Sequence, residues 1–220
     1  MNRTRAHKMN HPIKRLLLLC TGLIIMAFGV AFSIKAELGT SPISSVPYVT
    51  ATISGLSVGE TTIVMNCFFV VIQIAILRRQ YDWFQLLQVP AAILFGVMID
   101  VAEYALQTLS CSNYLQQWAF CILGIFFIAF GVSVEVMANL VTTAGEGIVL
   151  AICKVAPIKF SNMKMIFDIT LVCISISLSL AFLGYLDGVR EGTVAAAILV
   201  GLITRQTNKL MKGIENAVLT

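Results

Sequence analysis

Two groups of small hydroxyl residues follow long apolar runs of the chain and could bind a polar solute. The first group lies in "GTSPISS" and the second in "VTTAGEG". Each precedes a plausible helix start, and Pro42 in the first group would take the first helical position, which proline favours. A helix N-terminus exposes unpaired N–H groups, which suit an anionic or carbonyl-bearing ligand. The predicted site residues from these groups are Thr40, Ser41, Ser44, Ser45, Thr142, Thr143 and Glu146. The alternative is two interfacial turns with well-capped helices.

Polar groups inside the apolar runs supply two more candidates. Asp168 is the charged residue in the apolar stretch 165–186, and Asn66 lies within the apolar stretch 61–77. An ionisable group in a bilayer is expensive and is by default a functional candidate. Asp168 could carry a coupling proton or bind a cation, or it could join helices as a structural hydrogen-bonding group. Glu135 and Glu146 both follow the run 115–134, and Glu146 is favoured because glycines flank it.

Motifs for catalysis and metal binding are missing from the sequence. It contains no Walker A motif, no G-x-S-x-G, no H-E-x-x-H and no Gly-rich dinucleotide fingerprint. The 6 cysteines are scattered without C-x-x-C spacing, which indicates neither a zinc site nor a disulfide framework. We therefore expect a protein that is not an enzyme and that needs no cofactor and no metal.

The composition is that of an integral membrane protein. Hydrophobic residues make up 58% of the chain and charged residues 12%, and the mean hydropathy is +0.90. Soluble domains are about a quarter charged, so this chain has too little polar surface to coat a globule in water. We predict an all-α membrane protein, whose first partner is the lipid bilayer.

Six apolar segments approach the roughly 20 residues that cross a bilayer as a helix. They are 16–34, 61–77, 83–99, 115–134, 165–186 and 192–204. The last is short, and Arg205 and Lys209 could extend it by directing their charges to the interface. Two further segments, 41–55 and 143–157, are apolar enough to enter the membrane. At roughly 20 Å of helix each, they are predicted to be re-entrant or interfacial, with short full spans as the alternative.

Lysine and arginine positions predict the orientation. Basic residues occupy the leader 1–15, the turn after the second span, the connection between the fourth and fifth spans, and the C-terminal end. The loop after the third span has no Lys or Arg, and the loop after the fifth is net acidic. The positive-inside rule then places both termini in the cytoplasm of a bacterial cell with a multi-pass chain in the inner membrane. Basic ends can also suggest nucleic acid, but membrane anchoring explains them and no nucleic-acid partner is expected.

The two halves of the chain repeat each other. An offset of 102 residues gives 8 identities in the 19 positions from Gly22 to Thr40. The identical residues are Gly22, Ala27, Phe28, Gly29, Val30, Ala36, Leu38 and Thr40, which meet Gly124, Ala129, Phe130, Gly131, Val132, Ala138, Leu140 and Thr142. The same offset aligns Asn66 with Asp168, and an offset of 105 aligns 89–96 with 194–201 at 6 of 8 positions.

The repeat predicts the domain organisation. We expect a basic cytoplasmic leader at 1–15, a first three-helix repeat at 16–107, a second at 115–211 and a cytoplasmic tail at 212–220. Because each repeat has three spans, the second copy must be inverted relative to the first. Inverted repeats are typical of secondary transporters. The leading hypothesis is therefore a transporter or permease for an unknown small solute or ion, with a homodimer as a candidate assembly.

A family resemblance accompanies this interpretation. The stretch "GLIIMAFGVAFSIKAELGTSPISSVPY", followed by a span and an "RR" turn, resembles the YczE/YyaS/YitT family of bacterial integral membrane proteins. The resemblance implies a small polytopic inner-membrane protein and no established substrate. Two alternatives to a transporter stay open. One is the substrate-binding subunit of an energy-coupling-factor importer, whose coupling motif Ala27-x-x-x-Ala31 resembles; the other is a non-transporting scaffold or sensor.

Overall fold

The structure is a computed structural model that describes residues 12–219, with side chains described through residue 211. The predicted leader falls largely outside this range. Eight α-helices form in the described range: α1 Pro12–Lys35, α2 Pro42–Ser54, α3 Val58–Leu77, α4 Gln88–Ala105, α5 Tyr114–Ala138, α6 Ala144–Val155, α7 Phe160–Leu178 and α8 Glu191–Leu219. Two short turns of 3-10 helix connect α3 to α4, and a π-helical turn, Ser179–Leu183, ends α7. The all-α prediction is confirmed for this range. The backbone of the predicted tail continues α8 to Leu219.

Five helical stretches in the described range are long and apolar enough to cross a membrane. They are Pro12–Lys35, Val58–Gln80, Trp83–Ala105, Tyr114–Ala138 and Phe160–Leu183. They contain the first four predicted spans, and the fifth, 165–186, except for its last three residues. The sixth predicted span, 192–204, lies in α8, which is not among them. Its apolar stretch is short and runs into Arg205, so the sixth span stays a prediction.

Helices α1 and α5 pack closely through glycines. A Cβ built on Gly22 would lie 2.9 Å from the carbonyl oxygen of Gly131, and one built on Gly29 would lie 2.9 Å from that of Gly124. The early glycine of each helix therefore meets the late glycine of the other, so the helices run antiparallel. Small residues at such a crossing let two backbones approach within contact distance.

The short helices α2 and α6 each join the opposite half of the chain. Ser175 Oγ in α7 donates to the carbonyl oxygen of Ser45 in α2 at 3.1 Å. Gln73 Nε2 in α3 donates to the carbonyl oxygen of Ala144 in α6 at 3.0 Å. At the offset of 102 the two donors, Gln73 and Ser175, are aligned, whereas the acceptor Ser45 aligns with Gly147 and not with Ala144.

One contact of the first half has no equivalent in the second. Gly59 of α3 and Gly96 of α4 touch so closely that a Cβ on Gly96 would lie 2.5 Å from the Gly59 carbonyl oxygen. The Asp100 carboxylate fastens this pair further, since it accepts hydrogen bonds from Ser57 Oγ at 2.7 Å and from the Gly59 N–H at 2.8 Å. Gly201 of α8, which aligns with Gly96, has nothing within 4 Å of a built Cβ. In the described residues, α7 and α8 do not pack as α3 and α4 do.

Candidate functional site

A cavity of about 350 Å³, here called cavity A, enters the bundle from the end at which α1 and α7 begin. It follows α1 from Leu19 to Val30, so it reaches beyond the middle of that helix. Its lining is apolar along α1, mostly apolar along α4 and α8, and mixed along the other helices. The polar residues are Ser41, Ser44, Thr62, Asn66, Gln88, Glu135, Thr142, Thr143, Glu146, Lys164, Asp168 and Thr204.

Most of the predicted site residues lie on this cavity. Seven of the nine line it: Ser41, Ser44, Asn66, Thr142, Thr143, Glu146 and Asp168. Ser45 is fully buried instead, and its hydroxyl donates to the carbonyl oxygen of Pro42 at 2.8 Å. Thr40 is not among the lining residues of cavity A. Whether any of these residues binds a solute stays a prediction.

The start of α6 is occupied by a carboxylate of the protein. Glu135, near the end of α5, is 5% exposed and accepts a hydrogen bond from the backbone N–H of Thr143, the N-cap of α6. The turn back depends on Asn139, which adopts a left-handed conformation with φ of 44°. An acidic group at a helix N-terminus satisfies the donors and the partial positive charge there. The site that we expected to suit an anionic ligand therefore already holds a carboxyl group of the protein.

Glu135 was not among the predicted site residues. Its position at the end of an apolar run is equally typical of a residue at the membrane interface, so sequence position alone could not separate the two roles. The fold buries Glu135 because the chain turns back directly after α5 and brings Thr143, the N-cap of α6, against it.

The two aligned polar residues Asn66 and Asp168 both line cavity A, but they differ in their partners. Asp168 accepts a hydrogen bond from Lys164 Nζ at 2.5 Å, one helical turn earlier, and both side chains are partly exposed. Asn66 Nδ2 donates to the carbonyl oxygen of Thr62 in its own helix at 2.9 Å. Among the described residues, no three His, Cys, Asp or Glu side chains are grouped to hold a metal ion.

Two aligned threonines, Thr40 and Thr142, have hydroxyl oxygens that are buried without a hydrogen-bond partner. A buried polar atom left unpaired costs about 1–3 kcal/mol. Such an atom calls for an explanation, for example a ligand or water that completes it. Thr142 lines cavity A, whereas Thr40 lines a second cavity.

This second cavity, here called cavity B, has a volume of about 290 Å³. It lies beside the C-terminal end of α1 and is mostly polar. Its lining residues are Ser33, Ile34, Glu37, Gly39, Thr40, Tyr48, Leu186, Asp187, Gly188 and Arg190. Cavity B therefore follows cavity A along α1, and the lining residues Thr40 of cavity B and Ser41 of cavity A are neighbours in the chain.

Two loops meet at cavity B and are held together by hydrogen bonds. We call this the 37–40/188–192 contact. The N–H of Thr40 donates to the carbonyl oxygen of Gly188 at 3.1 Å, and the N–H of Gly192 donates to that of Leu38 at 2.8 Å. Arg190 Nη1 adds a third bond, to the carbonyl oxygen of Glu37 at 2.9 Å.

Gly39 makes this close approach possible. Its φ is +86°, and a Cβ there would lie 2.5 Å from the backbone nitrogen of Arg190. The aligned residue of the second half is Val141. In the described residues, no hydrogen bond joins the loop 139–143 to the aligned connection 81–88, and there the molecule has cavity A instead.

Comparison with known proteins finds a family and one similar membrane protein. A family model described as "Family of unknown function (DUF6198)" matches residues 13–209. The chain is 29% identical over 187 residues to the "Uncharacterized membrane protein YczE" of Bacillus subtilis (strain 168), covering 84% of this chain and 80% of that protein. No solved structure matches. The YczE part of the predicted resemblance is confirmed, and the YyaS and YitT part stays a prediction.

Proposed function

We propose that this chain, which belongs to the DUF6198 family of unknown function, is a secondary transporter that moves a small solute across the membrane by alternating access. The observation that carries the proposal is a structural difference between two aligned loops of the two halves. Cavity A lies beside the loop 139–143, whereas the 37–40/188–192 contact joins the aligned loop 37–40 to its neighbour by hydrogen bonds. A transporter needs two such gates that open in turn.

The antiparallel glycine contacts support an inverted repeat. If the two halves are exchanged, the contact of Gly22 with Gly131 becomes the contact of Gly124 with Gly29, and both are present. Related halves that face each other in this way can exchange their conformations at little cost in free energy. The second state would then close 139–143 on 81–88 and release 37–40 from 188–192. The halves also differ in the packing of their last two helices, because α3 packs on α4 and α7 does not pack on α8 in the same way.

Orientation follows from the distribution of basic residues. Lys164 lines cavity A, and Arg78 ends α3 close to the start of α4, where Gln88 also lines it. We propose that cavity A faces the cytoplasm and that both termini are cytoplasmic in a bacterial inner membrane. The proposed protein is not an enzyme and works without a cofactor. A homodimer in the lipid bilayer stays part of the proposal.

The energy-coupling-factor alternative is less well supported. Such a subunit would need its Ala27-x-x-x-Ala31 motif accessible to a partner, yet both alanines are 0% exposed. A non-transporting scaffold or sensor stays as the second candidate. Such a protein would not need the two loop contacts to open and close in turn. An experiment on the gates separates the two functions without knowledge of the solute.

The test measures which side of the membrane reaches Asn66, which lines cavity A. N66C is introduced into a cysteine-free background and labelled in oriented vesicles with a membrane-impermeant thiol reagent from each side. We expect rapid labelling from the cytoplasmic side and slow labelling from the outside. Gly39→Ala should accelerate outside labelling at least about tenfold, a population shift of about 1.4 kcal/mol, because the added Cβ forces the two loops apart.

Gly55→Ala is the matched control. Gly55 also has a positive φ, of +76°, but nothing lies within 4 Å of its built Cβ. It therefore carries the same backbone strain without the wedge, and it should leave outside labelling unchanged. A G39A protein that folds but is labelled from the cytoplasmic side alone would favour the scaffold.

A further inference from the structure

We infer that the solute is a small organic cation and that cavity B, beside the C-terminal end of α1, is its second half-site. This rests on the proposed transport function. The inference names both the charge class of the solute and a site that the sequence did not predict. Its basis is the polar chemistry of both cavities, taken together.

Cavity A has more carboxyl groups than basic groups. Glu135, Glu146 and Asp168 line it, and Lys164 is its one basic lining residue among the described residues. Lys164 is already paired with Asp168. Glu135 and Glu146 make no ion pair with any described residue. A cation that entered the cavity would favour the ionised form of these two carboxyl groups and pair with them.

Cavity B has the same character. The carboxylates of Glu37 and Asp187 face one guanidinium, that of Arg190. Both nitrogens of that group are engaged, since Nη1 donates to the Glu37 carbonyl oxygen and Nη2 donates to Glu191 Oε1 at 3.3 Å. Neither carboxylate makes an ion pair with a described residue.

An unpaired hydroxyl provides an independent indication of a ligand at cavity B. Thr40 is 2% exposed, it lines the cavity, and its Oγ1 has no hydrogen-bond partner. A hydroxyl oxygen can accept a hydrogen bond from an ammonium or guanidinium N–H. Thr142, the aligned residue, leaves the same atom unpaired beside cavity A. Carboxyl groups without an ion pair and an unpaired threonine hydroxyl therefore occur in both cavities.

An anionic solute fits these cavities poorly. It would meet carboxylates of its own sign in both, and like charges at close range cost several kcal/mol. The N-terminus of α6, the natural anion site, is occupied by Glu135. The volumes of about 350 and 290 Å³ lie at the small end of ligand sites, which run from about 300 to 1,000 Å³.

The test uses three planar solutes of nearly equal shape: guanidinium with a positive charge, urea with none and acetate with a negative charge. Uptake of each labelled solute is measured in liposomes that contain the purified full-length protein. We expect guanidinium uptake at least about tenfold above protein-free liposomes, with urea and acetate at background. Glu146→Gln, in cavity A, and the pair Glu37→Gln with Asp187→Asn, in cavity B, should each reduce guanidinium uptake by at least as much.

Glu60→Gln is the control, because Glu60 is exposed, lines neither cavity and only caps α3. Uptake of acetate or urea without guanidinium would overturn the cation class and leave transport standing. Loss of uptake in E146Q but not in the cavity B double variant would overturn the second half-site. If none of the three solutes is taken up while G39A still opens Asn66 to the outside, the inference fails and the proposed function survives. If Asn66 does not respond either, both fail.

Discussion

Gly29 of α1 lies against Gly124 of α5, and a Cβ on Gly124 would be 2.8 Å from the Gly29 carbonyl oxygen. In the aligned repeat Gly29 corresponds to Gly131 and Gly124 to Gly22, which also touch. The contact therefore joins the two halves through glycines that align with each other between the halves. Because no side chain separates the backbones, the crossing fixes α1 on α5 firmly, and motion between the halves has to occur elsewhere.

Gly29→Val should destabilise the protein. The new side chain would overlap Ile128 and the Gly124 carbonyl, both within 3 Å of the built Cβ, and overpacking of this kind costs about 1–3 kcal/mol or more. The measurement is thermal unfolding in detergent. Gly201→Val is the control, because nothing lies within 4 Å there. Equal melting temperatures for the two variants would contradict the close α1–α5 crossing.

Asp100→Ala should loosen α4 from the start of α3. Two hydrogen bonds to a charged acceptor are lost, from Ser57 Oγ and the Gly59 N–H, and each is worth about 1.5–3 kcal/mol. Asp100→Asn, which retains an acceptor oxygen, should lose less. The check is limited proteolysis of the connection between α2 and α3, together with the melting temperature. If the Asn and Ala variants lower the melting temperature equally, the Asp100 carboxylate does not join α4 to the start of α3 through these hydrogen bonds.

Gln73→Leu should weaken the joint between α3, α4 and α6. The Gln73 side chain is 2% exposed, and its Nε2 donates to Gln88 Oε1 and to the Ala144 carbonyl oxygen, both at 3.0 Å. Leucine leaves Gln88 Oε1 without its donor in the interior, at a cost of about 1–3 kcal/mol, and it also removes the second hydrogen bond of the Ala144 carbonyl, which stays bonded within α6. Gln107→Leu, on an exposed position, is the control for the polar-to-apolar change, and the free energy of unfolding in denaturant is the measurement. A Gln73→Leu protein as stable as the control would exclude this role.

Cys111, in the loop between α4 and α5, should react with alkylating reagents only at unusually high pH. Burial raises the pKa of its thiol, and the negative charge of Glu37 raises it further. Since the thiolate is the nucleophile, the midpoint of the rate against pH moves upward with the pKa. In a protein that retains Cys111 as its single cysteine, Glu37→Gln should move that midpoint back down. A midpoint that stays in place in the Gln variant would contradict the contribution of Glu37.

The main helices could be predicted from the sequence because they depend on local patterns, whereas the inverted repeat stays a prediction. Long apolar runs give helices of spanning length, and the change to hydroxyls and proline at Ser41-Pro42 gave the start of α2. The shared offset also brought Asn66 and Asp168 to one cavity. Each of these depends on residues near one another in the chain or on the duplication.

Ser45 and Glu135 show what the sequence could not provide. Ser45 has the same residue type as Ser41 and Ser44, but its place on α2 turns it away from cavity A. Glu135 lies beside α6 only because the chain reverses at Asn139. The closed 37–40/188–192 contact and the absent α7–α8 contact are differences between two similar halves, and an alignment that looks for identity cannot indicate them.

Alkaline phosphatase fusions can test the orientation on which the proposed function depends. Phosphatase is active only outside the cytoplasm, so a fusion after Gln107 should be active, and fusions after Gln80 and after Met211 should be inactive. The reason is the basic character of the connections at the two latter positions and the absence of Lys and Arg between α4 and α5. Green fluorescent protein at the same three positions is the complement, since it is fluorescent when left in the cytoplasm. If one of the fusions at Gln80 and Met211 is active and the other inactive, the C-terminal ends of α3 and α8 lie on different faces of the membrane. An inverted pair of three-span repeats would then be impossible.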